Sequence, residues 1–163
     1  MPPRTNPKYG IEFAGIRELT AQLARDGEVW RRVQEAGKRG MIENTEDLLG
    51  RSMRDAQVDE GPLRESGSAT VYVNGRAVSR SGFRGVGGAP EAPEQVSRVL
   101  EGGVGNAIVG EVGFNKPYAL AQHERLDYNH PKGGKAKYLE DNLKGQAGRY
   151  QGNLNAHLRG ALR

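Results

Sequence analysis

The chain has 163 residues, a net charge of +4 and no cysteine, which excludes disulfides and thiolate metal sites. Apolar residues make up 36% and aromatic residues 6%, a lean core for one domain, so we expect partner subunits to supply part of the order. No window approaches 18 apolar residues, and the N-terminus lacks the pattern of a signal peptide. The sequence therefore predicts a chain made in a cytoplasm, without a membrane span.

The N-terminal third predicts an arm, a short strand and two helices. Prolines in the first eight residues predict a disordered arm, alternation over 9–13 predicts a strand, and apolar spacing over 15–23 predicts a helix. A long helix is expected over about 28–57, although glycines weaken its middle. We expect either a kink at Gly37 and Gly40 or close packing of another backbone over them.

The middle of the chain predicts a hairpin followed by a long loop. Residues 68–73 alternate between apolar and polar side chains, and Asn74 with Gly75 is a strong signal for a tight turn into a return strand. Seven glycines and two prolines over 82–105 predict a glycine-rich loop, with a short helix over 94–100.

The last third predicts a strand and two helices. Residues 106–114 carry the best strand pattern, and Asn115 is expected to cap a helix that runs to about residue 127. After a loop, apolar residues three or four apart predict a final helix over 136–162. Few strands and two long helices predict an α+β fold, in which a small antiparallel β-sheet packs against a long N-terminal helix and a C-terminal helix.

The positive charge is concentrated at the C-terminus. No acidic residue follows Asp141, and the last 22 residues carry the whole net excess. We therefore divide the chain into an arm over 1–8, a single domain over 9–145 and a basic helical extension over 146–163. This sparse charge is typical of a solvated helix face, but it also makes four side chains candidates for contact with DNA phosphates. They are Lys144, Arg149, Arg159 and Arg163.

One segment starts like a catalytic motif. His123-Glu124 opens as the HExxH of zinc peptidases does, but the second ligand position is Asp127. A site of His123, Asp127 and His130 defines one alternative, a metal-dependent hydrolase, whereas simple hydrogen-bonded pairs are the plainer interpretation. The sequence contains no recognisable phosphate loop, nucleophile elbow or nucleic-acid module. We expect no enzyme, no cofactor and no bound metal.

Several short motifs follow one another in a characteristic order. Gly-x-x-Glu-Leu at 15–19 is followed by Glu-Gly-x-Leu-Arg-x-Ser at 60–66 and Val-Gly-Phe at 112–114. Tyr-Ala-x-x-x-His-Glu at 118–124 and aromatic-Leu-Glu at 138–140 complete the series. In this order they resemble the neck, or tail-completion, family of long-tailed bacteriophages, which includes proteins related to the lambda Z protein.

The resemblance covers about residues 9–145, with two departures. Arg125 stands where a glycine is common, and Asp141 stands where a proline is frequent. The resemblance implies that Tyr118 and Tyr138-Leu139 pack helices onto the sheet. The motif residues are then expected to have structural and interface roles. They are Gly15, Leu19, Gly61, Leu63, Arg64, Ser66, Tyr118, Ala119, His123, Glu124, Tyr138, Leu139 and Glu140.

The resemblance also implies a location and partners. The chain would be a structural subunit of the virion neck, in a closed six- or twelve-fold ring between the portal side of the head and the tail. Its partners would be copies of itself, head-completion or stopper proteins, and tail-terminator or tail-tube proteins, with transient non-specific contact to DNA and no membrane. A tail terminator ring protein and a small non-specific DNA-binding protein are the alternatives.

Overall fold

The computed structural model describes residues 27–56, 62–82 and 108–163. As predicted, the fold is α+β: a three-stranded antiparallel sheet in the order β2-β1-β3 is packed against two long helices, α1 and α4. None of the helices in these ranges combines the length and apolar character that crossing a membrane requires. The elements in chain order are α1 (Gly27–Asp55), α2 (Pro62–Glu65), β1 (Gly67–Val73), β2 (Arg76–Gly82), β3 (Ile108–Phe114), α3 (Ala119–Glu124) and α4 (Glu140–Ala161).

The hairpin of β1 and β2 forms as the sequence predicts. Asn74 and Gly75 both have positive φ, 51° and 78°, which two-residue hairpin turns require. The return strand extends as far as Gly82, the first residue of the predicted loop. A bulge interrupts the pairing and leaves Val78 as the extra residue on β2.

The central strand β1 is buried on both faces. Gly67 lies over α1, because a Cβ there would come within 2.9 Å of Leu49 Cδ1. Side chains alternate along a strand, so Thr70 and Tyr72 lie on the opposite face, where they are only 6% and 2% exposed. The sheet therefore has a helix-facing side and an opposite side, which is buried at β1 and exposed along β2 and which we call the distal face.

The glycines in the middle of α1 serve close packing, the second of the two expectations. A Cβ on Gly37 would lie 3.0 Å from Ile108 Cδ1. A Cβ on Gly40 would lie 3.1 Å from Leu154 Cδ1 and 3.4 Å from its Cα. The helix α1 continues through both glycines. The expected close approach of another backbone is found at Gly40, where α4 packs, whereas the space at Gly37 is taken by the side chain of Ile108 from β3.

The helix α3 is shorter than predicted at both ends. It begins four residues after Asn115, so the prediction that Asn115 caps it is wrong. The backbone N–H of Asn115 donates to Ser66 O at 3.2 Å, and the helix begins only at Ala119. It ends at Glu124 because Arg125 adopts an extended backbone, with φ −86° and ψ 107°. Both ends are set by contacts and backbone angles that the local sequence pattern does not show.

The helix α4 begins at Glu140, not at residue 136. Lys137 has a φ of 56°, in the left-handed region that interrupts a helix, and its N–H donates to His123 O at 2.8 Å. The predicted boundary between 145 and 146 falls inside α4. The segment over 146–163 is continuous with this helix, and its buried Leu154 lies against α1.

Other predictions lie outside the described residues. They are the arm over 1–8, the strand over 9–13, the helices over 15–23 and 94–100, almost all of the glycine-rich loop, and the motif residues Gly15, Leu19 and Gly61.

Candidate functional site

Four of the sequence motifs meet in one buried cluster. Leu63, Ala119 and Tyr138 come from three separate motifs and are 4%, 6% and 2% exposed. They pack with Ala56 at the end of α1, while the Val-Gly-Phe motif contributes Phe114. We call this set the motif cluster: Ala56, Leu63, Phe114, Ala119, Tyr138 and Leu139.

Tyr138 is the central side chain of the motif cluster. Its ring makes edge-to-face contacts with Phe114 and His123, each with ring centroids 5.0 Å apart. The hydroxyl donates to Ala119 O at 3.3 Å, and burial raises the pKa of Tyr138 to about 12. Tyr138 therefore joins β3, α3 and the start of α4.

The Gly-x-Leu-Arg-x-Ser motif satisfies backbone groups at the end of α1. Arg64 Nε donates to Ala56 O at 3.0 Å, and its terminal nitrogen donates to Arg54 O at 2.7 Å. Carbonyls at a helix end lack intrahelical partners, so these bonds act as a cap. Ser66 Oγ donates to Leu63 O at 2.8 Å. The motif is structural in this fold.

His123 is held by two hydrogen bonds. Its Nε2 accepts the backbone N–H of Glu140 at 3.3 Å, and its Nδ1 lies 2.8 Å from Glu124 Oε1. This arrangement assigns the proton to Nδ1. Lys137 Nζ bonds Glu124 and lies 3.1 Å from Glu140, and these two partners raise the pKa of Lys137 to about 12. The same bond from Lys137, followed by that from His123, lowers the pKa of Glu124.

The three side chains of the hydrolase alternative do not form a metal site. Asp127 pairs with Arg125, whose terminal nitrogen lies 2.8 Å from Oδ2, while His123 is engaged as described above. The ring nitrogens of His130 are buried and have no hydrogen-bond partner. Within the described ranges, no group of three or more His, Asp or Glu residues could hold a metal ion.

Tyr118 departs from the expectation for its motif. It is 39% exposed, in contrast to Ala119 beside it, which is 6% exposed. Leu120 and Leu126 are 49% and 78% exposed, so this part of the chain presents apolar surface to solvent. Only part of the Tyr-Ala motif belongs to the core.

The four C-terminal basic residues have different surroundings. Lys144 pairs with Glu140, and Arg149 pairs with Asp47 on α1. Arg159 and Arg163 are exposed, and neither has an ion-pair partner among the residues that the structure describes. Of these four residues, Arg159 and Arg163 are therefore the ones available to an external anion, and both lie at the C-terminal end of the chain.

A network around Asp47 links α1 to α4. Burial of this carboxylate raises its pKa, but donors outweigh that effect and lower the pKa to about 2. The donors are Arg149, Arg51 at 2.7 Å and the Tyr150 hydroxyl at 2.9 Å. Sequence reasoning missed this network. The spacing of four between Asp47 and Arg51 was its only local signal.

The distal face carries a second group that sequence reasoning missed. Thr70 is in register with Arg80 on β2 and with Glu111 on β3, so the three side chains form one row across the sheet. Glu111 Oε2 is buried without a hydrogen-bond partner, and burial raises the pKa of Glu111 to about 7. One acidic residue in an otherwise apolar and glycine-containing strand was the signal.

Comparison of the chain with protein-family models, with curated proteins and with solved structures found no match. A proposal of function must therefore come from the chain's own motifs and geometry.

Proposed function

We propose that the chain is a structural subunit of a bacteriophage virion neck, forming a ring that joins the DNA-filled head, on its portal side, to the tail. One observation carries this proposal. Motifs that follow the family's order along the sequence also meet in the motif cluster. Segments far apart in the chain meet there because their motif side chains fit one another, so these motifs specify an architecture.

The use of polar motif residues supports the same proposal. Arg64 and Ser66 bond backbone carbonyls, and His123 bonds a neighbouring carboxylate and a backbone N–H. The bonds of Arg64 to the end of α1 and of His123 to Glu140 fix one segment against another, whereas those of Ser66 to Leu63 and of His123 to Glu124 are local. A ring subunit needs such internal rigidity, because its contacts with neighbouring copies must repeat at one angle for the ring to close.

The proposal includes partners and a location in the virion. The chain would contact copies of itself, a head-completion or stopper protein, and a tail-terminator or tail-tube protein. DNA leaving the head would make transient, non-specific contacts. Arg159 and Arg163 suit that role better than Lys144 and Arg149, which pair with carboxylates of the same chain.

Quantitative mass spectrometry of purified particles tests the proposal. A single ring requires on the order of six to twelve copies per particle. Hundreds of copies would instead indicate a shell or tube component, and absence from the particle would contradict a structural role. If the copy number fits, crosslinking separates the two kinds of ring: a neck ring should crosslink to the head-completion or stopper protein, and a tail terminator should crosslink to the tail-tube protein.

Arg159 and Arg163, which have no ion-pair partner within the described ranges, favour one other class, a non-specific DNA-binding protein. Such a protein would bind duplex DNA with an affinity that falls steeply with salt, and Arg159→Ala with Arg163→Ala would reduce that slope. Arg149→Ala is an unsuitable probe because it also removes a partner of Asp47. Lys116→Ala with Arg76→Ala, which removes two positive charges outside α4, is the matched control.

A further inference from the structure

Both outer edges of the sheet are open within the described residues. The outer strands β2 and β3 each pair only with β1 there. An open edge presents backbone N–H and C=O groups that another strand can satisfy. Most of β2 is exposed, and it contains Arg76 and Arg80 but no acidic residue. This exposed, positively charged edge is therefore suited to strand addition.

The two edges carry complementary groups at the same level. Arg80 and Glu111 are both in register with Thr70, and so they lie on one face at opposite sides of the sheet. Arg80 is exposed and has no ion pair with any residue in the described ranges. Glu111 has a buried carboxylate oxygen that has no hydrogen-bond partner in the part of the chain that the structure describes. One edge of the sheet therefore carries a cation and the other a carboxylate, at the same level.

The strand directions allow the same row to continue from copy to copy. Because β2 and β3 are both antiparallel to β1, they are parallel to each other. When the strands run along the ring axis, a copy related by rotation about that axis presents its β2 in the same direction and at the same level as β3 of its neighbour. Parallel pairing then places Arg80 of one copy beside Glu111 of the next.

We propose that β2 of one copy pairs in parallel with β3 of the adjacent copy, with Arg80 and Glu111 forming an ion pair across the junction. This inference rests on the proposed function as a ring subunit. The contact is head-to-tail, which is the type that closes into a ring when the rotation per copy is a whole fraction of a turn.

A second copy fits these edges better than an unrelated acidic strand does. A foreign strand bound to β2 would satisfy Arg80 and leave Glu111 without a partner. A buried carboxylate without a partner is costly, so an assembly that satisfies both groups is favoured. Repetition of one chain satisfies both groups at every junction.

Cysteine crosslinking tests the junction, because the natural chain contains no cysteine. In the variant Arg80→Cys with Glu111→Cys, the two positions of one chain are two strand spacings apart, about 9.6 Å. That exceeds the Cα separation of about 7 Å beyond which no disulfide forms, so any disulfide must join two copies. Oxidation should give a covalent ladder on a non-reducing gel that ends at the ring number.

The matched control moves one cysteine to the other face of the same strand. Arg76 is in register with Val73, which lies on the helix-facing side, so Arg76→Cys with Glu111→Cys should give no ladder. The single variants Arg80→Cys and Glu111→Cys should give no species larger than a dimer.

Particles assembled with the double-cysteine variant test the neck proposal and the strand junction separately. The expected copy number together with a ladder supports both. The expected copy number without a ladder overturns the strand junction and leaves the neck proposal standing. If the chain is absent from particles, the neck proposal fails, and the purified full-length chain then decides the junction: a ladder supports it, and none overturns it.

Charge reversal tests the same pair without cysteine chemistry. Arg80→Glu should reduce incorporation into particles at least tenfold, because two carboxylates would then face each other. Adding Glu111→Arg should restore it. Restoration by the second change distinguishes a junction from a folding defect, whereas failure of the double variant with a normal circular dichroism spectrum and unfolding midpoint contradicts the pairing.

Discussion

Asp47 illustrates how one side chain can join two helices. It lies on α1, yet two of its donors, Arg149 and Tyr150, belong to α4. Its pKa of about 2, against an ordinary 3.8, means that the folded chain favours the ionised carboxylate. The same contact raises the pKa of Tyr150 to about 12, with burial as the larger cause.

We expect Asp47→Asn to lower the free energy of unfolding by about 2 kcal/mol at neutral pH. The folded pKa lies below the unfolded one, so this stabilisation is complete above about pH 4 and is lost as the pH falls through about 2. Urea unfolding of both proteins across this range should show the two stability curves converging at the acid end.

The control for Asp47 is Asp127→Asn, which removes another aspartate–arginine pair. The Asp127 side chain is 66% exposed, so solvent screens its contact with Arg125 and the loss should be much smaller. Equal losses in the two variants would show that the network between α1 and α4 adds nothing to an ordinary surface pair.

Residue-level sequence reasoning found individual groups but not their partners. The pair of Asp47 and Arg51 follows from helical spacing, whereas Arg149 lies about a hundred positions away and becomes a partner only through the packing of α4. The zinc-peptidase resemblance at His123 was similarly local. Its actual partners include the backbone of Glu140, which no pattern of side chains reveals.

At the scale of elements, glycine has opposite effects in the two long helices. A Cβ on Gly40 would lie 3.1 Å from Leu154 Cδ1 on α4, whereas a Cβ on Gly148 would meet no other side chain within 4 Å among the described residues. We expect Gly40→Ala to destabilise the chain by about 1–2 kcal/mol through overpacking. Gly148→Ala should stabilise it by about 0.5–1 kcal/mol, because alanine favours helix. Urea unfolding measures both, and a change of the same sign in both would contradict this packing.

Two glycines of β3 allow a similar comparison between the two sides of the sheet, because Gly110 lies on the helix-facing side and Gly113 on the distal face. A Cβ on Gly110 would lie 2.5 Å from Thr45 Oγ1 and 3.0 Å from Met41 Sδ, while a Cβ on Gly113 would meet nothing within 4 Å among the residues that the structure describes. Gly110→Ala should cost about 1–3 kcal/mol, and Gly113→Ala should cost little. Thermal unfolding followed by circular dichroism measures both variants. A comparable fall in the two melting temperatures would contradict this difference in packing.

The predicted elements succeeded where the signal is local and were less accurate where tertiary contacts decide. Alternation and the Asn74-Gly75 turn are complete in the sequence, and the hairpin formed as expected. The predicted start of α3 and the predicted start of α4 were wrong, because Asn115 bonds Ser66 and Lys137 takes a left-handed backbone beside His123. Those contacts join segments far apart in the chain.

At the scale of the whole molecule, composition and element order were enough to predict the α+β class. They did not predict that the motifs would meet, since the motif cluster depends on how α2, α3 and the start of α4 are placed around Phe114. They also did not predict the row across the distal face. Register alone brings Arg80 and Glu111 to one level, and register is known only from the pairing of strands.

Glu111 connects the stability of a single chain to its assembly. Burial raises its pKa to about 7 from an ordinary 4.5, so the folded single chain favours the neutral carboxyl and loses stability as the pH rises from about 4.5 through about 7. Glu111→Gln removes that loss. At pH 8 the variant should be about 1–2 kcal/mol more stable as a single chain, after allowance for solvent screening, and about equal to the natural chain near pH 4.

Assembly should respond to Glu111→Gln in the opposite direction. Beside Arg80 of a neighbouring copy the carboxylate is stabilised in its ionised form, so glutamine should weaken the junction while it strengthens the single chain. Urea unfolding of the purified chain and copy number in particles measure the two effects separately. Glu65→Gln, an exposed carboxyl on α2, should change neither. A Glu111→Gln chain that is more stable and also assembles normally would show that the carboxyl is not part of the junction.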